Sequence, residues 1–339
     1  MSRPLRALVL SDGRPGHFHL ADGVCEAIRR RRPVAVTRCE IRRPHWLANR
    51  MLAATVASTR AADRQILRQL GLCAELPAAD LVISAGGDTL AANVAATRLS
   101  GAHNIFCGSL RHFDPARFSL IVSSYARHAA LPRHLVTLKP SGIDPDTLER
   151  DRSPPTRPSM FGLLIGGDSG LFRYTLADWN RLTRFLEESH AHSGARWIVS
   201  TSRRSPDTIG DALAVLAARA DGPIADFIDF RTAGPGTLRR LFGTVDAILC
   251  TDDSSSMISE AVCARLPVVG VAPPVHAFKA DEAEYRTFMA GQGWCRFIPL
   301  YALTPARFAA ELQAVRPLQG NHLEQLATAL ETRLPQLFG

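Results

Sequence analysis

Short apolar runs recur along this chain, each followed by a small polar turn and then by a stretch with helical spacing of apolar positions. Leu5–Leu10, Val34–Ile41, Ala79–Ser84, Asn104–Cys107, Leu120–Ser123 and His134–Leu138 read as one set of buried strands. Met160–Ile165, Trp197–Ser200, Ile224–Phe230, Val245–Cys250 and Leu266–Val271 read as a second set, the last of them the final strand. Helices are expected over His19–Arg32, where Leu20, Val24, Ala27 and Ile28 share a face, and over most of Arg42–Leu70. More are expected from the Gly86-Gly87 turn through Arg98, then at Leu176–His190, Leu238–Phe242, Met257–Arg265, Asp281–Gln292, Pro305–Val315 and His322–Leu334. Alternation of this kind is the pattern of an α/β protein built on parallel sheets. The segment from Asp144 to Pro158, rich in Pro, Asp, Arg and Ser, reads as a linker. Two Rossmann-like domains are expected, residues 1–150 and 151–339, with the last helix packing back on the first.

Composition narrows the class. The 339 residues suffice for two ordinary domains, and 46% hydrophobic with 21% charged residues is the balance of a globular protein. No apolar stretch is long enough to span a bilayer, and Met1–Pro4 leads straight into a strand, leaving no room for a signal peptide. Seven scattered cysteines without CxxC spacing point to reduced thiols, a cytoplasmic location and no zinc site. Charge is uneven: residues 1–150 carry 21 Lys plus Arg against 12 Asp plus Glu, whereas residues 151–339 carry 19 against 20. A first half at +9 suggests an anionic partner. The Arg42–Leu70 segment combines Trp46, Leu47, Met51 and Leu52 with Arg42, Arg43, Arg50, Arg60, Arg64 and Arg68. Such a stretch either lies on an anionic membrane surface or packs its apolar face into the core. No helix-turn-helix or aromatic-basic ladder supports nucleic-acid binding.

Candidate chemistry collects where strands end. Thr251 to Ala261 passes from a buried strand through a polar loop into a helix, with Asp252, Asp253 and Ser254 placed to cap it. Its first amides, around Ser254, Ser255, Ser256 and Met257, make an anion seat reinforced by the helix dipole. Glu260, a turn inside, is placed to reach the hydroxyls of a ribose. Gly166 and Gly167 let backbone approach a phosphate closely, and Ser202, Arg203 and Arg204 follow the next strand, where guanidinium groups grip phosphate oxygens. In the first half, Asp12, His17 and His19 stand after the first strand, and Asp88 follows the Gly86-Gly87 turn. Asp12 either caps its turn or joins the chemistry usual at such sheet edges. The chain lacks G-x-G-x-x-G, so no dinucleotide cofactor is expected, and no metal.

The motifs Ser11-Asp12-Gly13-x-Pro15-Gly16, Ile165-Gly166-Gly167, Ser200 to Pro206 and Asp253-Ser254-x-Ser256-Met257-Ile258-Ser259-Glu260-Ala261 resemble the elongated-mitochondria fission family, over nearly the whole chain. The resemblance implies the GT-B fold of glycosyltransferases: two facing Rossmann-like domains and a cleft between them. It further implies a nucleotide-sugar donor on the second domain, with Glu260 on the ribose and Gly167, Arg203 and Ser254–Ser256 on the diphosphate. The base that deprotonates the acceptor would be Asp12, His17 or Asp88. The expected activity is sugar transfer to a hydroxyl of a cell-envelope glycolipid or polysaccharide precursor, at the inner face of the plasma membrane. A nucleotide-sugar epimerase of the same fold and a non-catalytic scaffold are the alternatives.

Overall fold

The computed structural model describes residues 3–43, 45–73, 75–148, 159–234 and 236–339, with the side chains of 46–49, 57 and 58 outside that description. The chain divides into two compact units, Met1–Gly142 with Asn321–Gly339, and Ile143–Gly320.

The first unit opens with β1 (Leu5–Ser11), α1 (Pro15–Arg29), β2 (Val34–Glu40), α2 (Trp46–Ser58) and α3 (Asp63–Gln69). It continues with β3 (Leu81–Ala85), α4 (Leu90–Ser100), β4 (His103–Cys107), β5 (Leu120–Ser123) and β6 (His134–Val136). All six strands pair in parallel, in the order β2-β1-β3-β4-β5-β6. Every side chain of β3 is buried, as a central strand covered on both faces requires. A buried amide network stitches α4 to the sheet: Asn93 Nδ2 donates to Ser84 Oγ (2.9 Å), and Asn104 Nδ2 donates to Asn93 Oδ1 (2.7 Å).

The second unit comprises β7 (Met160–Leu164), α5 (Leu176–Ser193), β8 (Arg196–Ser200), α6 (Asp207–Ala217), β9 (Ile224–Ile228) and α7 (Thr237–Thr244). Then come β10 (Ala247–Thr251), α8 (Ser255–Cys263), β11 (Val268–Ala272), α9 (Ala280–Gly291), β12 (Cys295–Pro299) and α10 (Pro305–Ala314). Its six parallel strands run β12-β11-β10-β7-β8-β9. Trp197, Phe185, Phe161 and Phe308 fill the core between α5, α10 and the sheet, with ring centroids 5.2–5.6 Å apart. Finally α11 (His322–Arg333) returns to the first unit, where Leu323, Leu326, Ala327 and Leu330 pack with Val24, Ala27 and Ile28 of α1.

Four local expectations need correction. The first helix starts at Pro15, not His19, because proline suits a first helical position, where no amide bond is lost. The segment after β2 is two helices rather than one, and Arg42 and Arg43 precede both. Val271 does not end the last strand: β12 follows as a sheet edge, with Arg296 exposed and Phe297 and Pro299 partly so. Helix α6, with Ile209, Leu213 and Leu216 buried, was not expected. Residues 149–158 of the expected linker, and the Trp46 and Leu47 side chains of the expected membrane-facing helix, lie outside the described residues. Among the described residues no helix is long and apolar enough to cross a membrane.

Candidate functional site

In the second unit, the loops after β7, β8 and β10 meet at one sheet edge, as parallel topology dictates for successive strand ends. The Gly166 amide donates to Thr251 Oγ1 (2.7 Å), and the Gly167 amide to Asp253 Oδ2 (3.2 Å). Ser205 Oγ and Ser202 Oγ both donate to the Gly166 carbonyl oxygen, at 2.7 and 3.2 Å. A methyl group on Gly166 would stand 2.0 Å from Asp253 Oδ2. On Gly167, whose φ is +154°, a methyl would stand 2.0 Å from the Arg204 carbonyl oxygen. Glycine is thus required at both positions for steric reasons, and at 167 for conformation as well.

Asp253 is the hub of this arrangement. Its carboxylate is fully buried and pairs with the Arg204 guanidinium while accepting from the Tyr174 hydroxyl (3.0 Å) and the Gly167 amide. Burial, together with Asp253, pushes the Tyr174 hydroxyl well above the ordinary tyrosine range, so it stays protonated and donates. The Tyr174 ring stacks on Trp179 of α5, centroids 4.5 Å apart, which fixes the hydroxyl in place. Beside it, Asp252 pairs with Arg286 of α9 (2.6 Å), both nearly fully buried, and the guanidinium lies 4.1 Å over the Phe278 ring. Burial pushes the Asp252 carboxyl up to about 7, against the pull of Arg286.

These contacts correct the expected capping. Ser254, the N-cap residue of α8, makes no side-chain cap bond, and Asp252 and Asp253 each hold an arginine instead. A guanidinium is a stronger partner for a carboxylate than a backbone amide, so the acids turn away from the helix end. Of the expected donor residues, Gly166, Gly167, Ser202 and Arg204 come together, while Ser254, Ser255, Ser256 and Met257 form the half-buried start of α8 after β10. Glu260, two residues farther into α8 than Ile258, is 5% exposed. Arg203 is exposed, and its side chain makes no hydrogen bond or ion pair among the described residues. Tyr174, Thr251, Ser205 and Arg286 were not foreseen. Only Thr251 and Ser205 carried a signal, as polar residues flanking the strand ends.

In the first unit, the edge after β1 and β3 carries a second cluster. Asp12 is fully buried at its carboxylate and lies 2.9 Å from His17 Nδ1, on the first turn of α1. It also accepts from the Arg14 amide (3.2 Å). Burial raises the Asp12 carboxyl, but the bond and charge of His17 and the contacts of Arg14 outweigh it, and the group is held below its ordinary value. The His17 ring rests on bare backbone: a methyl on Gly86 (φ +85°) would stand 2.1 Å from Nδ1. Asp88 lies 3.4 Å from Arg111 and 3.7 Å from Arg14, which also stands 3.8 Å from Asp12. The three expected acid–base residues therefore form one cluster, with Arg14 between its two carboxylates. His19, also on α1, is half-buried. Among the described residues no group of three or more His, Cys, Asp and Glu could hold a metal ion.

The fold is GT-B, shared with several solved structures. MurG of Acinetobacter baumannii gives a TM-score of 0.51 at 14% identity, covering 97% of this chain and 100% of that one. MnaA of S. aureus, in a co-structure with UDP, gives 0.58 at 11% identity over 99% and 98%. UDP-GlcNAc 2-epimerase of Methanocaldococcus jannaschii, in complex with UDP-GlcNAc and UDP, gives 0.54 at 11% identity over 98% and 100%. No curated protein matches the sequence. The sequence model of the mitochondrial fission ELM1 family matches residues 15–319, and the chain belongs to that family.

Proposed function

We propose that this chain is a GT-B glycosyltransferase that moves a sugar from a nucleotide-sugar donor to a hydroxyl of a cell-envelope glycolipid or polysaccharide precursor, without an essential metal, at the cytoplasmic face of the membrane. The observation that carries this reading is the convergence of the loops after β7, β8 and β10 around Asp253, with the start of α8 beside them. Two glycines packed against the Asp253 carboxylate and the Arg204 carbonyl, an anchored arginine and a helix N-terminus suit a diphosphate. Arg203, Arg204 and the amides of Ser254–Met257 neutralise it as the bond to the sugar breaks. Glu260 grips the ribose. The UDP complexes of MnaA and of the archaeal epimerase support a nucleotide ligand on this fold.

In the first unit His17 is the base. With Nδ1–H donating to Asp12, the Nε2 lone pair takes the proton of the acceptor hydroxyl, and the oxygen attacks the anomeric carbon as the diphosphate leaves. Asp12 orients the ring and stabilises the imidazolium, and Asp88 holds Arg14 and Arg111 around the pair. A second reading, a nucleotide-sugar epimerase, draws on the archaeal UDP-GlcNAc 2-epimerase, whose TM-score is higher than that of MurG.

The test is calorimetry with UDP-, GDP-, ADP- and CMP-linked sugars on the parent and on Glu260→Ala. One donor is expected to bind the parent and to bind the variant at least tenfold more weakly. Equal binding to both refutes the ribose assignment, and binding of none refutes the donor site. Release of nucleoside diphosphate only when acceptor is added supports transfer. Conversion of the bound sugar to its epimer without acceptor supports the second reading.

A further inference from the structure

The proposed reaction leaves open what kind of acceptor is used, and a cavity in the first unit speaks to that. About 460 Å³ in volume, it is lined by Asp12, Gly13, Glu40, Ile41, Arg42, Arg43 and Gly71, where β1 and β2 end. That size lies within the ~300–1,000 Å³ usual for small-ligand sites. Its floor is fixed by backbone pairing: the Ile41 amide donates to the Ser11 carbonyl and the Arg42 amide to the Leu70 carbonyl, both at 2.8 Å. Two glycines let long side chains lie close to bare backbone. A methyl on Gly13 (φ +74°) would stand 2.6 Å from Glu40 Oε1, and one on Gly71 (φ +79°) would stand 3.0 Å from Arg42 Cγ.

The cavity has two chemical halves. Glu40 brings an exposed carboxylate, which accepts hydrogen bonds from hydroxyl groups, while that of Asp12 is buried on His17; Arg42 and Arg43 bring guanidinium groups, which donate to phosphate or carboxylate. Although acid and base line the same space, the side chains of Glu40, Arg42 and Arg43 make no hydrogen bond or ion pair among the described residues. Elsewhere on this edge and its flank the charged groups are matched: Arg38 pairs with Asp22, Arg14 with Asp12 and Asp88, and Arg111 with Asp88. Exposed guanidinium groups at 42 and 43 and an exposed carboxylate at 40 around one cavity offer donors and an acceptor to a ligand with hydroxyls at one end and an anionic group at the other.

We infer that this cavity is an acceptor subsite for a hydroxylated molecule, of sugar type, that carries a phosphate or carboxylate: Arg42 and Arg43 hold the anionic group, and Glu40 receives hydroxyls at the edge where the buried Asp12 orients His17. The inference rests on the glycosyltransferase reading for its name as an acceptor site, but binding can be tested without turnover. Calorimetry is run with glucose 6-phosphate, glucuronic acid, glucose and inorganic phosphate, on the parent, on Arg42→Ala/Arg43→Ala, and on Glu260→Ala. The two anionic sugars are expected to bind the parent at least tenfold more tightly than glucose or phosphate alone. The double arginine variant should lose that binding at least tenfold and keep its nucleotide-sugar binding, while Glu260→Ala should keep the anionic sugars. Glucose binding as tightly as its anionic relatives, phosphate alone binding as tightly as the sugars, no anionic sugar bound, or a double variant indistinguishable from the parent would each overturn the inference. Loss of anionic-sugar binding in Glu260→Ala would also overturn it, placing those ligands in the second unit. Failure of nucleotide-sugar binding with anionic-sugar binding intact would instead strike the donor reading and leave this cavity standing.

Discussion

Replacing Asp253 by alanine should destabilise the second unit and do so mainly through Arg204. The carboxylate is fully buried and the guanidinium one-third exposed, so the deletion strands a partly dehydrated cation. Breaking a buried pair by removing one partner costs ~3–5 kcal/mol, and the water that reaches Arg204 favours the lower end of that range. The Tyr174 hydroxyl and the Gly167 amide lose the same acceptor, and a buried donor left without a partner adds ~1–3 kcal/mol. A total of about 4 kcal/mol corresponds to a fall of roughly 8–16 °C in Tm at ~2–4 °C per kcal/mol for a unit of this size. Arg204→Ala alone leaves Asp253 with two donors and should cost less, and the double variant should cost little more than Asp253→Ala. A double-mutant cycle followed by urea unfolding measures the coupling, expected at ~1–3 kcal/mol. Strict additivity of the two single changes would refute the view that Asp253 and Arg204 act as one element.

Gly166→Ala forces a methyl against Asp253 Oδ2 and should cost ~1–3 kcal/mol of stability, read from the urea midpoint, while weakening nucleotide-sugar binding. Unchanged donor affinity in a folded variant would separate the loop from the ligand. His17→Ala should lower acceptor-dependent release of nucleoside diphosphate by ~10²–10⁴-fold with donor binding unchanged, since a base acts in the transition state. A fall in donor affinity of the same size would assign His17 to binding. Asp252 titrates near 7 in the folded chain against ~3.9 unfolded, so the folded state retains a proton that the unfolded state has lost between those values. Its contribution is complete below the unfolded value and is lost as pH rises through about 7, with a slope of at most ~1.4 kcal/mol per pH unit. Stability of the parent should therefore drop relative to Asp252→Asn between about pH 4 and 7 and level off above, and parallel profiles would contradict the assignment.

Much of the frame was legible because parallel strands covered on both faces are written as unbroken apolar runs. Leu81–Ala85 and Ala247–Thr251 are buried throughout and stand out for that reason. An edge strand has no such signature: in Cys295–Pro299 the exposed Arg296 breaks the run and pairs with Glu311, so β12 reads as loop. Helix α6 does carry the spacing of Ile209, Leu213 and Leu216, but the Asp- and Ala-rich stretch around it blurs that face. The site was legible where its partners are near in sequence, as with Asp12 and His17, five residues apart. It was illegible where the fold joins distant positions. Asp253 meets Arg204 across 49 residues and Tyr174 across 79, and locally an Asp-Asp-Ser sequence before a helix looks like a cap. Only tertiary placement decides between those two uses of the same carboxylate.

The return of α11 to the first unit has a consequence for biosynthesis. The residues that cover α1, from Leu323 to Leu337, are synthesised after residues 143–320, which form a unit of their own. The first unit, whose sheet is made before the second unit, thus finishes folding after it. Until then the part of α1 that α11 covers lacks that cover, so the nascent chain carries exposed apolar surface, an aggregation hazard, after the first sheet has been made.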